Sequence, residues 1–409
     1  MCGSKRVWVS ELIFILLVVK GWWIEGCLEQ ERSALLQLKH FFNDDQRLQN
    51  WVDAADDENY SDCCQWERVE CNKTTGRVIK LDLGDIKNRK NRKSERHLNA
   101  SLFTPFQQLE SLDLSWNNIA GCVENEGVER LSRLNNLKFL LLDSNYFNNS
   151  IFSSLGGLSS LRILSLADNR LNGSIDIKGL DSLSNLEELD MSYNAIDNLV
   201  VPQGLERLST LSNLKFLRLD YNSFNSSIFS SLGGLSSLRI LSLADNRFNG
   251  SIDIKGKQAS SILRVPSFVD LVSLSSWSVG INTGLDSLSN LEELDMTNNA
   301  INNLVVPKDY RCLRKLNTLY LGGIAMIDGS KVLQSIGSLP SLKTLYLLFT
   351  NFKGTIVNQE LHNFTNLEEL LLVKSDLHVS QLLQSIASFT SLKYLSIRGC
   401  VLKGALHGQ

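Results

Sequence analysis

The sequence lacks an excess of charge of either sign. Its 41 Lys and Arg stand against 44 Asp and Glu, a formal net charge of -3. That balance excludes a general pull toward nucleic acid or an anionic membrane. Proline and histidine are scarce, at five each. The histidines (His40, His97, His362, His378, His407) are scattered and fit no nucleophile motif. No CxxC occurs, which weakens any metal reading. No Gly-rich phosphate loop follows a strand; the Gly pairs at 156–157, 233–234 and 322–323 sit inside repeats. Long hydrophobic runs are missing too. The most apolar stretch, residues 12–19 (LIFILLVV), is too short to span ~30 Å of hydrocarbon. With Lys5 and Arg6 before it and the small Gly26 after it, it reads as a secretory signal over residues 1–26.

Cysteine and sequon usage agree with that compartment. Cys27, Cys63, Cys64 and Cys71 cluster early. A bond between the neighbours Cys63 and Cys64 would be strained, so Cys27 pairs with one of them and Cys71 with the other. Eight Asn-x-Ser/Thr acceptors follow, at Asn59, Asn72, Asn99, Asn148, Asn172, Asn225, Asn249 and Asn363. The basic run at 87–96 reads as a solvated loop.

What the chain has in abundance is one pattern. LxxLxLxxN recurs, from LESLDLSWN at 109 to LEELDMTNN at 291, with weaker copies at 316, 342, 367 and 392. Its ninth positions are Asn117, Asn145, Asn169, Asn194, Asn222, Asn246, Asn299, Ile324, Thr350, Ser375 and Cys400, a period of about 25 interrupted once. The LxL core alternates as a strand with one buried face does. The Asn turns inward to bond free backbone groups of adjacent coils, since a buried amide is costly to leave unpaired. Cys400 takes that place as a buried thiol. Each coil exposes an apolar edge that only the next can cover, so coils stack into a solenoid with a parallel sheet on its concave side.

This pattern resembles the plant extracellular leucine-rich repeat. Leu171, Gly173 and Ile175 match the middle of that family's repeat, as do Phe248, Gly250 and Ile252. Its usual proline is replaced by Asp176 and Asp253. The preceding segment resembles the family's N-terminal cap. It has a helix with Ala34, Leu35, Leu38, Phe41 and Phe42 on one face, then Trp51, then CCQWERVEC with Trp66 and Val69, and a first strand at 76–83. The resemblance implies the pairings Cys27–Cys63 and Cys64–Cys71. The expected fold is an α/β leucine-rich-repeat solenoid with a disulfide-linked helical cap. Its parts are a signal peptide (1–26), cap (27–75), repeats (76–256), a non-repeat insert (257–284) and further repeats (285–409) without a C-terminal cap. The insert reads either as a loop between coils or as an in-frame unspliced intron.

The chain contains a duplication. Residues 150–170 recur unchanged at 227–247, an offset of 77, or three coils. The two three-coil copies, aligned with 257–284 set aside, differ at eight of 67 positions. Four of these lie on the concave face: Leu141/Arg218, Ser144/Tyr221, Ser192/Thr297 and Tyr193/Asn298. The scaffold positions barely changed, which hints that the face meets something. Cys122 and Cys312 are left without assigned partners.

Carboxylates on that face, among them Asp113, Asp143, Asp190, Asp220 and Asp295, could in principle pair for glycoside hydrolysis. Every coil offers a polar face, however, so they read as solvated and the chain as non-enzymatic, with no cofactor and no metal. The candidate ligand-binding residues are Trp116, Asp143, Asp190, Tyr193, Arg218, Asp220, Tyr221, Tyr320, Tyr346, Phe349 and Tyr394. Aromatics and Arg are the usual interface anchors, and Arg398 adds a second guanidinium. The resemblance implies the ectodomain of a receptor-like protein in plant defence or development. Its ligand would be an extracellular peptide, protein or oligosaccharide and its signalling partner a co-receptor kinase, with no nucleic acid. Its location would be the plasma membrane if full-length, or the apoplast as given. The second reading is a secreted inhibitor or decoy of microbial cell-wall-degrading enzymes.

Overall fold

The structure is a computed structural model. It describes residues 27–42, 47–53, 62–86, 95–122, 128–200, 211–253, 288–306, 313–337, 339–351, 364–378 and 389–403. The expected signal segment, the insert, Asn59, Cys312 and Asn363 lie outside the described residues. The chain forms two compact units, residues 1–146 and 147–409. Both are stacks of coils whose strands run parallel, the solenoid architecture expected.

In the first unit a helix, Glu29–Phe42, buries Ala34, Leu35, Leu38 and Phe42 at the spacing of one helical face. Phe41 lies off that face. It is half-buried, with its ring edge-on to Phe42 at 4.9 Å. Trp51 and Trp66 are fully packed and stack at 5.6 Å, and Trp51 Nε1 donates to the Glu67 carbonyl at 2.9 Å. Disulfides join Cys27 to Cys63 and Cys64 to Cys71.

One cap feature is unexpected. Glu31 is a first-turn acid, yet it is 0% exposed. Its carboxylate takes Arg77 Nε at 2.8 Å and the Val78 N–H at 3.3 Å, which ties the helix to the start of strand Val78–Asp82. A buried charge persists only when so paired. Strand Val69–Cys71 runs antiparallel to Val78–Asp82, which is followed in parallel by Ser111–Asp113 and Phe139–Leu141. The register sets Leu81 beside Leu112 and Leu112 beside Leu140, and all three are buried.

The second unit repeats this geometry. Ile163–Ser165, Glu188–Asp190, Phe216–Arg218, Ile240–Ser242, Glu293–Asp295, Thr318–Asp328, Thr344–Asn351, Glu369–Val373 and Tyr394–Arg398 form one parallel sheet, whose register shifts once, between Gly322 and Ile327. Ile240–Ser242 pairs directly with Glu293–Asp295, so the period closes across the interruption in the sequence. Buried Leu or Met at the first, fourth and sixth pattern positions builds the interior, except in the last described coil, where Leu392 and Leu395 are half-buried and Ile397 is exposed. Each fully buried side chain contributes about 1.5–3 kcal/mol.

The ninth position holds the coils together. Asn299 Nδ2 donates to the carbonyls of Leu243, Met296 and Thr297 at 2.9, 3.1 and 3.0 Å. Its Oδ1 accepts from the N–H groups of Asn246 and Phe248 at 3.1 and 3.2 Å. Asn145 does the same toward Leu114, Leu142, Asp143, Asn117 and Ile119. Asn117, Asn194, Asn222 and Asn246 donate alike to their own and the preceding coil. Asn169 donates within its own coil and accepts from the Phe147 N–H. At Thr350, Ser375 and Cys400 hydroxyl and thiol take over, with Cys400 half-buried and not the buried thiol expected, because its own coil, the last described, covers it only in part. Thr350 Oγ1 lies 2.7 Å from Ser375 Oγ, and the Ser375 N–H meets Cys400 Sγ at 3.4 Å.

A second row of short strands was not foreseen. Asn172–Asp176 pairs with Ala195–Val200, Asn249–Asp253 with Ala300–Val305, and Arg96–Leu98 with Ile119–Cys122. Gly173 and Gly250 hold φ of 58° and 71° there, a conformation that disfavours any Cβ. In the coils where Ile324 and Thr350 replace Asn, the first strand instead runs on through the turn, as Thr318–Asp328 and Thr344–Asn351.

Candidate functional site

The outward sheet positions are the third, fifth, seventh and eighth of each pattern. The eighth has a conformation of its own. Trp116, Ser144, Asp168, Tyr193, Tyr221, Asp245, Asn298, Phe349 and Lys374 all have φ between 48° and 63°. Such left-handed backbone costs about 1–3 kcal/mol in a residue with a Cβ. Here a bond to the next coil sustains it: Trp116 N–H to Asp143 O (2.8 Å), Tyr193 N–H to Asp220 O (2.8 Å), Tyr221 N–H to Ala244 O (2.9 Å). The turn raises Trp116 (53%) and Tyr193 (53%) clear of the sheet, while Ser144, Asp245, Asn298 and Phe349 are half-buried.

The face acids are not simply solvated. Asp113 accepts from the N–H and hydroxyl of Ser115, Asp190 from those of Ser192, and Asp295 from those of Thr297. Asp220 reaches across a coil to the Ser242 hydroxyl and the Ala244 N–H. These carboxylates close the turn that ends each strand. Burial raises the Asp220 pKa above the usual carboxylate range, against its hydrogen bonds and with help from Asp295 and Asp190. Burial likewise raises Asp295, and raises Glu293 with Asp295 adding to it.

Five of the candidates meet in one patch of the second unit. The Tyr193 and Tyr221 rings stack at 4.2 Å with planes 12° apart. Asp245 and a hydrogen bond with Tyr193 push the Tyr221 phenol up to about 12. Arg218 pairs with Glu188 and lies 3.9 Å from Asp190. Burial opposes the guanidinium's charge, but Glu188, Asp190 and Asp220 outweigh it and raise its pKa. Further along, Tyr320 and Tyr346 tilt together at 5.7 Å and are half-buried. Lys374 Nζ sits 5.1 Å over the Phe349 ring, and Tyr394 is exposed in the last described coil. Trp116 and Asp143 belong to the first unit.

Of the sequons, Asn148, Asn172, Asn225 and Asn249 are exposed, and Asn72 and Asn99 are half-buried. Among the described residues, no helix is long and apolar enough to cross a membrane.

Comparison with known proteins gives a consistent result. The leucine rich repeat N-terminal domain family matches residues 28–72, and leucine rich repeat families match 107–132, 182–199 and 213–235. Receptor like protein 21 of Arabidopsis thaliana is 38% identical over 214 residues, 50% of this chain and 21% of that protein. Cuscuta receptor 1 of Solanum lycopersicum is 38% identical over 239 residues, 54% of this chain and 20% of that protein. The chain thus spans about a fifth of the length of the curated relatives it matches. Among solved structures, the ectodomain of the Arabidopsis receptor kinase HAESA in complex with an extended IDA peptide hormone aligns with TM-score 0.55 at 22% identity. That alignment covers 92% of this chain and 54% of the other. At that identity the likeness shows the fold.

Proposed function

We propose that this chain, whose cap and repeats are those of plant leucine-rich-repeat receptor-like proteins, is ligand-binding ectodomain of such a receptor. It acts by docking an extracellular peptide along the outward sheet face, not by catalysis. The observation that carries this reading is the 38% identity to receptor-like proteins over half of the chain. The exposed stacked tyrosines and flanking acids on the face support it. Its place is the secretory pathway and the outer side of the plasma membrane, with signalling passed to a partner kinase. The residues bound by ligand are drawn from Asp190, Tyr193, Arg218, Asp220, Tyr221, Tyr320, Tyr346, Phe349 and Tyr394, with Trp116 and Asp143 on the first unit.

The test is capture. The full chain, expressed in plant cells and immobilised, is exposed to a peptide fraction of apoplastic fluid. Saturable retention of a defined peptide is expected. Retention of nothing, together with inhibition of a microbial cell-wall-degrading enzyme, would replace this reading with that of a secreted inhibitor.

A further inference from the structure

Two rows of charge run along the second unit, and they differ in balance. At the second pattern position acids and bases pair between neighbouring coils. Glu187 sits between Arg162 and Lys215, Arg239 pairs with Glu292, and Glu368 lies between Lys343 and Lys393. Every acid of that row is paired with a cation of an adjoining coil. The outward face is not so balanced. Across the coils at 186–194, 214–222, 238–246, 291–299 and 316–324 it carries Glu188, Asp190, Asp220, Asp245, Glu293 and Asp295 against the single cation Arg218. Arg218 is already engaged by Glu188.

The duplication locates the centre of this face. The middle coils of the two copies present identical outward residues, Ile163/Ile240, Ser165/Ser242, Ala167/Ala244 and Asp168/Asp245. The changes fall in the first and third coils. The third coil of the first copy supplies Ser192 and Tyr193, and the first coil of the second copy supplies Arg218 and Tyr221. These two coils are neighbours, with Asp190 in register with Arg218. The Tyr193–Tyr221 stack therefore exists only where the copies join. In the second copy's third coil the tyrosine is replaced by Asn298, and in the first copy's first coil by Ser144.

We propose that this junction is a docking point for an arginine side chain of an extended basic peptide. The stacked tyrosines are 44–53% exposed, and Asp245 stands beside Tyr221 with its Oδ2 accepting from Asn298 Nδ2 at 3.0 Å, so its negative charge lies at the edge of the stack. Aromatic faces attract guanidinium groups, and a planar guanidinium pairs with carboxylate in fork geometry. The unbalanced acids of the adjoining coils complement the remaining cations of the peptide. This rests on the reading of the chain as ligand-binding and adds the chemistry of the ligand.

The duplicate supplies its own control. Tyr193→Asn and Tyr221→Ser install the residues the other copy already carries at the same coil positions, so the coil is known to accept them. Titration of the full chain with an N-acetylated tetra-arginine amide is followed by calorimetry. Binding is expected to weaken as salt rises, to exceed that of tetraglutamate, and to fall about tenfold in Tyr193→Asn/Tyr221→Ser with an unchanged melting curve. Asp245→Asn is expected to weaken it as well. Equal binding by wild type and double variant would overturn the proposal, as would a preference for a chitin tetrasaccharide over the arginine peptide. If the double variant retains the same apoplastic peptide as the wild type, this inference fails while the ligand-binding reading stands.

Discussion

The replacement Asn299→Ala tests what joins the coils on either side of residues 254–287. Asn299 is fully buried and satisfies five backbone groups in two coils. Alanine cannot replace any of these bonds, and it leaves the N–H groups of Asn246 and Phe248 with no acceptor from the Asn299 side chain. Each orphaned group costs about 1–3 kcal/mol, though local relaxation recovers part of the sum. A net loss of about 3 kcal/mol is therefore expected. Coils contact only their neighbours, so the damage stays local and a single melting temperature would blur it. Native-state hydrogen exchange reads it directly. The amides of Asn246 and Phe248 are expected to exchange roughly a hundredfold faster, while those of Leu81 and Leu112 keep their protection. Asn299→Ser is expected to lose roughly half as much, because Ser375 fills the same pattern position by accepting from the Thr350 N–H and donating to Val373 O. Unchanged exchange at Asn246 and Phe248 in Asn299→Ala would refute the amide as the joint between coils.

Further outcomes follow from the same structure. Glu31→Gln leaves the half-buried Arg77 facing a neutral partner, and a loss of about 1–3 kcal/mol in the cap is expected, read from Trp51 and Trp66 fluorescence in urea. The raised carboxyls of Asp220, Glu293 and Asp295 keep protons that the unfolded chain has released. Their contribution to stability is therefore fully present below the ordinary carboxylate range, about pH 4, and is lost as pH rises through the raised values. Asp220→Asn/Asp295→Asn is expected to flatten that decline in urea midpoints measured from about pH 4 to 7. Burial pushes the Cys122 thiol up to about 11, so alkylation by iodoacetamide is expected to be slow near pH 8 and to accelerate toward that value. Deleting residues 257–284 is expected to leave exchange protection at Leu241 and Leu294 intact, since these two already pair.

Much of the framework was legible because burial dictates it. Leu81, Leu112, Leu140, Leu241 and Leu294 are apolar at one recurring position since each fills the interior of its coil. The amide ladder was legible for a related reason: an inward polar side chain must find partners, and Asn offers both donor and acceptor. The second strand row was not legible. AIDNLV at 195–200 alternates poorly, and its pairing with NGSID depends on a bulge between Ile196 and Asn198. The burial of Glu31 was not legible either, because first-turn acids on helices are usually solvated and its partner Arg77 lies 46 residues away. The left-handed eighth position has no residue signature, since Trp, Ser, Asp, Tyr, Asn, Phe and Lys all occupy it. The tyrosine stack needed the register that sets Asp190 beside Arg218 before it could be seen.

That indifference of the eighth position to residue type has an evolutionary consequence. The backbone posture there is held by the adjoining rung, through bonds such as Tyr193 N–H to Asp220 O, and it recurs with side chains of seven different types. Exchanging one displayed group for another leaves those bonds in place, and the small or amide-bearing replacements relieve torsional cost. Selection can thus rewrite what the molecule shows to its surroundings without endangering the scaffold beneath. A copied block of three rungs supplies fresh display sites in already tested seats.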